Sequence, residues 1–340
     1  MIREDQEEVP EEQKKKRRKQ RKRRRSTMTR CSAAAHILGK ASIPLLTLHS
    51  SVNIILTHYV RCQNTDFLTS SAVFISEVFK LAFCLFVLVG QQGTNLRLYL
   101  AAHFRLIQLV KLVVPAAMFT LQNNLFYMAN TNLDSITYQI TYQLKIITTA
   151  LFSYLLLSKR FTKTQVFSLG VLLFGIVLIQ IDESASESIS RKSDNGNQLI
   201  GFGQVILASV SSGFTSVYLE RIYKADGDDT LLIKNLQLSL LSIPISMINV
   251  LLQDSDTVSQ HGLFFGYDGL VLTDVLFNAL GGLIISLVLK HHDNITKIFS
   301  TSVSIVVTFV LSVFLFEKRF NEHFMIGMVH VFISIYLYYF

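Results

Sequence analysis

Charge is scarce in this chain of 340 residues. Asp, Glu, Lys and Arg make up 16% of it, against about 25% in soluble domains, and the head of the chain holds much of that share. Cysteine is scarcer still: Cys31, Cys62 and Cys84 stand at unrelated spacings, which excludes a disulfide framework and a cysteine metal site. No apolar segment directly follows the N-terminal charges, so no secretory signal peptide is expected, and the first spanning helix serves as the targeting signal. Phosphate-cradling loops, nucleophile elbows and carboxylates paired for acid/base work are missing as well. Enzymatic chemistry is not supported, and no cofactor or metal is called for.

What the chain has is apolar length. Half of its residues are hydrophobic and the mean hydropathy is +0.39. A spanning helix needs about 20 mostly apolar residues to cross ~30 Å of hydrocarbon. Ten windows meet that length, at about 41–60, 67–90, 111–131, 135–157, 164–181, 199–220, 231–252, 268–289, 297–316 and 322–340. The expected fold class is an all-α membrane protein of ten transmembrane helices.

Residues 1–40 form a separate head, acidic at first and then running Lys14-Lys15-Lys16-Arg17-Arg18-Lys19-Gln20-Arg21-Lys22-Arg23-Arg24-Arg25. Such a block is expected to be disordered. As a nucleic-acid or nuclear signal it fits poorly with the spans that follow, and it reads better as a cytosolic head under the positive-inside rule. The loops then sort by charge. Arg97, Arg105 and Lys111, then Lys159, Arg160 and Lys163, then Arg221 and Lys224, then Lys290 fall on the cytosolic side. Opposite them lie Arg61, the acidic and serine-rich 182–198, and Gln253–Tyr267 without Lys or Arg. Lys318 and Arg319 fall on the wrong side.

An internal repeat accounts for that exception. Residues 134–161 and 293–320 align without a gap at an offset of 159 and share ten identities in 28 positions, from Asp134/Asp293 to Lys-Arg-Phe at 159–161 and 318–320. The offset maps the first helix onto the sixth, giving halves 41–181 and 199–340 with a lumenal linker at 182–198. Five helices per half, an odd number, forces the second copy to enter from the opposite side. Inverted repeats of this kind are a device of secondary transporters, with the substrate near the midplane.

Polar residues at membrane depth are the candidates for that site, because they are costly there. Tyr138, Thr141, Tyr142 and Lys145 share one helical face. Lys145 lies roughly 16 Å past Asp134 along a helix of 1.5 Å rise, and no intramembrane carboxylate other than Glu77, already one turn from Lys80, is in view to pair with it. Lys297 opens the matching helix and also suits an interfacial anchor. Two such lysines would clamp a diphosphate. Gln122, Asn123 and Asn124 suit the edge of a base or sugar hydroxyls, or bonds between helices. Ser212-Gly213 and Gly281-Gly282 mark close approach of a ligand or of another helix. Asn235 and Gln237 are further candidates for the cavity wall. His49, His58, His291 and His292 lack metal-ligand spacing and read as interfacial.

These blocks together resemble the nucleotide-sugar transporter family. The resemblance rests on Gln122-Asn123-Asn124, Tyr138-Gln139 with Thr141 through Ile146, Ser212-Gly213-Phe214 with Val217 through Glu220, Asn235 through Leu238, and Gly281-Gly282-Leu283 with Lys290, Asp293-Asn294-Ile295 and Lys297. It covers about residues 40–340 and leaves out the basic head. It implies a Golgi, sometimes endoplasmic reticulum, antiporter with both termini cytosolic, importing a nucleotide-sugar in exchange for a nucleoside monophosphate. Lys145 and Lys297 match phosphate-facing lysines, and Tyr138, Gln122, Asn123 and Asn235 match positions around the nucleotide, with Tyr142, Gln237, Ser212, Gly213, Gly281, Gly282 and Asn294 in the same blocks. Ser239 replaces the tyrosine of the CMP-sialic acid branch, which points to a UDP-sugar, galactose or N-acetylglucosamine. His291-His292 and Ile298 depart from the pattern at the cytosolic gate. The competing readings are an exporter of another phosphorylated metabolite and a non-transporting scaffold for Golgi glycosyltransferases. Expected partners are the nucleotide-sugar and nucleoside monophosphate, membrane lipid, and a second copy of the chain or glycosyltransferases, with no nucleic acid.

Overall fold

Every element of the computed structural model is helical among the described residues, which are 38–57, 59–60, 63, 67–104, 106–133, 135–186, 198–225, 231–316 and 322–340. The basic head to residue 37, most of the linker, Asp134, Lys318 and Arg319 lie outside them. The chain divides into two units, 1–42 and 43–340. Of the first, residues 38–42 are helical, and the Ser42 hydroxyl donates to the Gly39 carbonyl at 2.7 Å.

The second unit opens with α1 (43–57). It continues with α2 (Thr69–Gln92), a 3₁₀ turn (Gly93–Asn95), α3 (Leu96–His103), α4 (Leu106–Asn132), α5 (Ser135–Tyr142), α6 (Lys145–Leu157) and α7 (Lys163–Ser186). Then come α8 (Gln198–Ala225), α9 (Leu231–Gln253), α10 (Ser255–His261), α11 (Gly269–His291), α12 (Asn294–Phe316) and α13 (Glu322–Tyr339). Seven helical stretches among the described residues are long and apolar enough to cross a membrane: Thr69–Gln92, Thr137–Leu157, Lys163–Ile181, Gln198–Ala225, Leu231–Gln253, Gly269–His291 and Asn294–Leu311. Among the described residues, Leu106–Gln122 of α4 is a shorter apolar helix.

Large apolar side chains cover the outside. Phe86, Leu98, Leu106 and Leu199 are each at least 75% exposed, a surface suited to lipid rather than water. Inside, the helices approach closely through small residues. A Cβ on Gly327 of α13 would come within 2.7 Å of the Gly175 carbonyl of α7, and one on Gly175 within 2.9 Å of the Gly327 carbonyl, so only glycine lets these backbones cross. Hydroxyls join α1 to α12 in steps of four residues. Thr47 meets Ser300 Oγ at 2.9 Å, Ser51 donates to the Ser304 carbonyl at 3.2 Å, and Thr308 donates to the Ser51 carbonyl at 3.3 Å. Each bond satisfies a polar group that hydrocarbon would leave stranded.

Candidate functional site

The window 135–157, expected as one continuous helix, is interrupted. α5 stops at Tyr142, and residues 143–144 form a turn before α6 begins at Lys145. Short-range bonds close the gap: Gln143 N–H to the Ile140 carbonyl at 3.1 Å, Leu144 N–H to Thr141 at 3.1 Å, and Ile146 N–H to Gln143 at 2.9 Å. Lys145 is therefore the first residue of a half-helix. Leu144 and Ile146 spend their N–H groups within that turn, so what favours an anion there is the dipole of α6 and the full charge of Lys145.

Beside it lies a cavity of about 350 Å³ between α1, α6, α7, α11 and α12. Its polar wall consists of Lys145 with Gln143, His49, Asn53, Asn278 and Thr301. The His49 ring stacks on Phe277 with centroids 4.3 Å apart, and its Nε2 lies 3.0 Å from the Phe277 carbonyl. Gly281 makes this possible, since a Cβ there would stand 2.6 Å from His49 Cε1. Across the cavity Asn53 Nδ2 donates to Asn278 Oδ1 at 3.1 Å, leaving Asn53 Oδ1 buried without a hydrogen-bond partner. Behind them Asp274, 7% exposed, accepts from Thr57 Oγ1 at 2.7 Å and from Asn278 Nδ2 at 3.1 Å. Glu77 is thus not the sole carboxylate at membrane depth. Asp274 escapes notice in the sequence because its donors, Thr57 on α1 and Asn278 one turn along α11, come together only on folding.

The expected site residues fall into three groups. Lys145, Gly281 and Gly282 line the cavity, with the Lys80 side chain against Gly282. Tyr138, Tyr142, Gln122 and Ser212 are joined to Lys145 by contact. Lys145 Nζ sits 4.5 Å from the Tyr142 ring centroid, and that ring stacks on Tyr138 at 5.7 Å. The Tyr142 hydroxyl accepts from Gln122 Nε2 at 2.9 Å and donates to Ser212 Oγ at 3.1 Å. Gly213 is close-packed, a Cβ there falling 2.4 Å from Thr148 Oγ1 of α6. Lys297, in the first turn of α12, lies within electrostatic reach of Lys145 and Glu220, although α12 lines the cavity through Ile298, Thr301 and Ser302.

The third group lies elsewhere. Asn235 ties α9 to its neighbours, donating to Ser286 Oγ at 2.8 Å and accepting from the Tyr223 hydroxyl at 3.3 Å. Gln237 lines a different cavity. Asn294, fully buried, donates to the Ser216 carbonyl at 2.7 Å and to Glu220 Oε2 at 3.0 Å, while Glu220 also accepts the Asn294 N–H at 2.9 Å and so caps α12. Asn124 accepts from Gln253 Nε2 at 2.9 Å, and the Asn123 side chain lies outside the described residues. His49, read from the sequence as interfacial, belongs to the cavity instead. The sequence signal for it was the four-residue spacing to Asn53, which puts both on one face of an apolar helix.

At the mouth of the α11–α12 turn, Lys159 forms an ion pair with Asp293 and donates to the Tyr338 hydroxyl at 3.1 Å. Ser158, with a left-handed φ of 53°, ends α6 and turns the chain there. Burial alone would raise Asp293 and lower Lys159. The hydrogen bond and charge between them outweigh it, helped by the Thr296 N–H on Asp293, so the carboxyl is held below its ordinary range and the ammonium above.

A family described as "Nucleotide-sugar transporter" matches residues 34–339. The chain belongs to the nucleotide-sugar transporter family. Within it, the UDP-galactose/UDP-N-acetylglucosamine transporter srf-3 of Caenorhabditis elegans is 37% identical over 299 residues, covering 86% of this chain and 80% of that one. The UDP-N-acetylglucosamine transporter of Homo sapiens is 35% identical, covering 87% and 94%, and the UDP-galactose transporter of Schizosaccharomyces pombe is 35% identical, covering 87% and 86%. A solved crystal structure superposes with a TM-score of 0.65 at 13% identity, over 90% of this family member and 97% of the other chain, a likeness of fold alone.

Proposed function

We propose that this protein exchanges a cytosolic UDP-sugar, galactose or N-acetylglucosamine, for lumenal UMP across the Golgi membrane. The observation that carries the proposal is Lys145 at the N-terminus of a broken helix, facing a polar cavity. Discontinuous helices whose positive ends meet an anionic group are how secondary transporters hold substrate. Lys145 and Lys297 take the phosphates, and Tyr138, Tyr142, Gln122, Asn123 and Ser212 serve the nucleotide. A scaffold gains nothing from such a lysine. The named relatives carry UDP-sugars, and Ser239 in place of tyrosine supports the same base.

Ten spans in two inverted halves are part of the proposal. The packing supports it: under the 159 offset α2 corresponds to α9, α4 to α11, α6 to α12, α7 to α13 and α1 to α8. The close pairs α2–α9 and α7–α13 map onto themselves, and α4–α9 maps onto α11–α2. The α6–α8 pair maps onto α12–α1, and both use hydroxyls, Thr148 to the Ser209 carbonyl at 2.9 Å in the first and the α1–α12 series in the second. Proteoliposomes loaded with UMP or CMP and offered labelled nucleotide-sugars test the function. UMP-driven uptake of UDP-galactose or UDP-N-acetylglucosamine is expected. Uptake of neither, or equal drive by CMP, refutes it.

A further inference from the structure

A second cavity, of about 480 Å³, lies between α4, α8 and α9. It shares no lining residue with the central one. Three cations face it, Lys111, Arg221 and Lys234, and among the described residues no Asp or Glu lines it. Lys234 is buried and bonds to the Ile222 and Tyr223 carbonyls, serving the C-terminal end of α8. Lys111 and Arg221 are exposed and make no ion pair among the described residues. Gln237 at the back is fully buried, with Oε1 lacking a hydrogen-bond partner. Two cations in front of a buried acceptor suit an anion that also carries a hydroxyl. Among the described residues, the Lys111 and Arg221 side chains and Gln237 Oε1 take part in no bond that holds the fold.

We propose that this cavity binds the headgroup of an anionic phospholipid, the phosphate between Lys111 and Arg221 and a headgroup hydroxyl toward Gln237. The surface beside it selects lipid over a soluble anion. Ile107 and Val114 stand four residues before and three after Lys111, on its face of the helix, and are 62% and 36% exposed, with Val110 at 56%. An apolar strip rising from a cationic pocket fits an acyl chain attached to a phosphate. Basic pockets between spanning helices on the cytosolic side bind such headgroups, and charge sorting of the loops places Lys111 and Arg221 there.

The test uses the full chain, purified and delipidated, with lipid retention read by native mass spectrometry and melting by thermal shift. Probes are phosphatidylinositol, phosphatidylcholine, inorganic phosphate and UMP. The parent is expected to retain phosphatidylinositol over phosphatidylcholine, and Lys111→Gln/Arg221→Gln to lower that preference roughly tenfold or more, at about 1 kcal/mol per cation. Arg160→Gln/Lys163→Gln, removing equal charge elsewhere, should leave it unchanged, and Lys111→Gln alone should show an intermediate loss. All variants should melt with the parent in phosphatidylcholine. Unchanged preference in the double variant, equal loss in the control pair, or displacement of the lipid by phosphate or UMP overturns the proposal. The last outcome would mark a vestibule for soluble anions instead.

Discussion

At the scale of single residues, Lys145 carries the heaviest demand. An ammonium inside a bilayer is costly, and this one meets the Tyr142 ring and the end of its own half-helix. Lys145→Ala should fold, as judged by thermal shift, yet lose exchange by roughly tenfold or more, since a hydrogen bond to a charged group contributes about 1.5–3 kcal/mol. Lys297→Ala should lose less, because Lys297 lies off the cavity wall. Lys145→Arg should rescue only in part, as a planar fork does not occupy the space of an ammonium. Parental exchange by a folded Lys145→Ala would remove the phosphate clamp. Gly281 makes a different demand. Gly281→Ala pushes a methyl into the His49 ring, 2.6 Å away, and overpacking of this kind costs about 1–3 kcal/mol. Adding His49→Ala should recover most of the loss in melting temperature, because the two residues touch and their effects do not add. A double variant no more stable than Gly281→Ala would show that the glycine serves something else.

At the scale of elements, the N-terminus of α12 is held from two sides, by Glu220 of α8 and by Asp293, which caps Thr296 N–H at 2.7 Å and pairs with Lys159. Negative groups belong at that end of a helix. The pH dependence follows from the directions of the two shifts. Asp293, held low, contributes stability that is present above its unfolded value of about 4 and lost as pH falls through its folded value. Lys159, held high, contributes stability that is present below about 10.4 and lost as pH rises through its folded value. The pair is therefore intact between about pH 4 and pH 10. Asp293→Asn should lower the melting temperature across that window, and the gap to the parent should close in stronger acid. A gap that does not narrow at all as the pH falls below 4 would assign the effect to packing rather than charge.

For the whole molecule, the inverted-repeat reading puts the mouth bearing Asp293, Lys159 and Lys290 on the cytosolic side. The sequon Asn294-Ile295-Thr296 should then carry no glycan, and its burial against Glu220 and Ser216 denies access as well. A glycosidase-sensitive mass shift that disappears in Asn294→Gln would overturn the orientation.

What the sequence by itself determined is the membrane class and the family, and it singled out Lys145 as a costly cation, because hydropathy and the cost of burying a charge are properties of the residues in order. Among the described residues, seven of the ten windows correspond to helices apolar enough to span, and the shared Asp-x-Ile-Thr and Lys-Arg-Phe ends mark the repeat in the sequence. Tertiary structure alone decided which polar residues meet. It broke the fourth window at residues 143–144, placed His49, Asn53 and Asn278 around Lys145, and sent Asn235 and Gln237 to other surroundings. Helical periodicity gives the face a residue occupies, but the neighbour opposite that face depends on helix crossings, and those are set by backbone contacts such as Gly175 against Gly327.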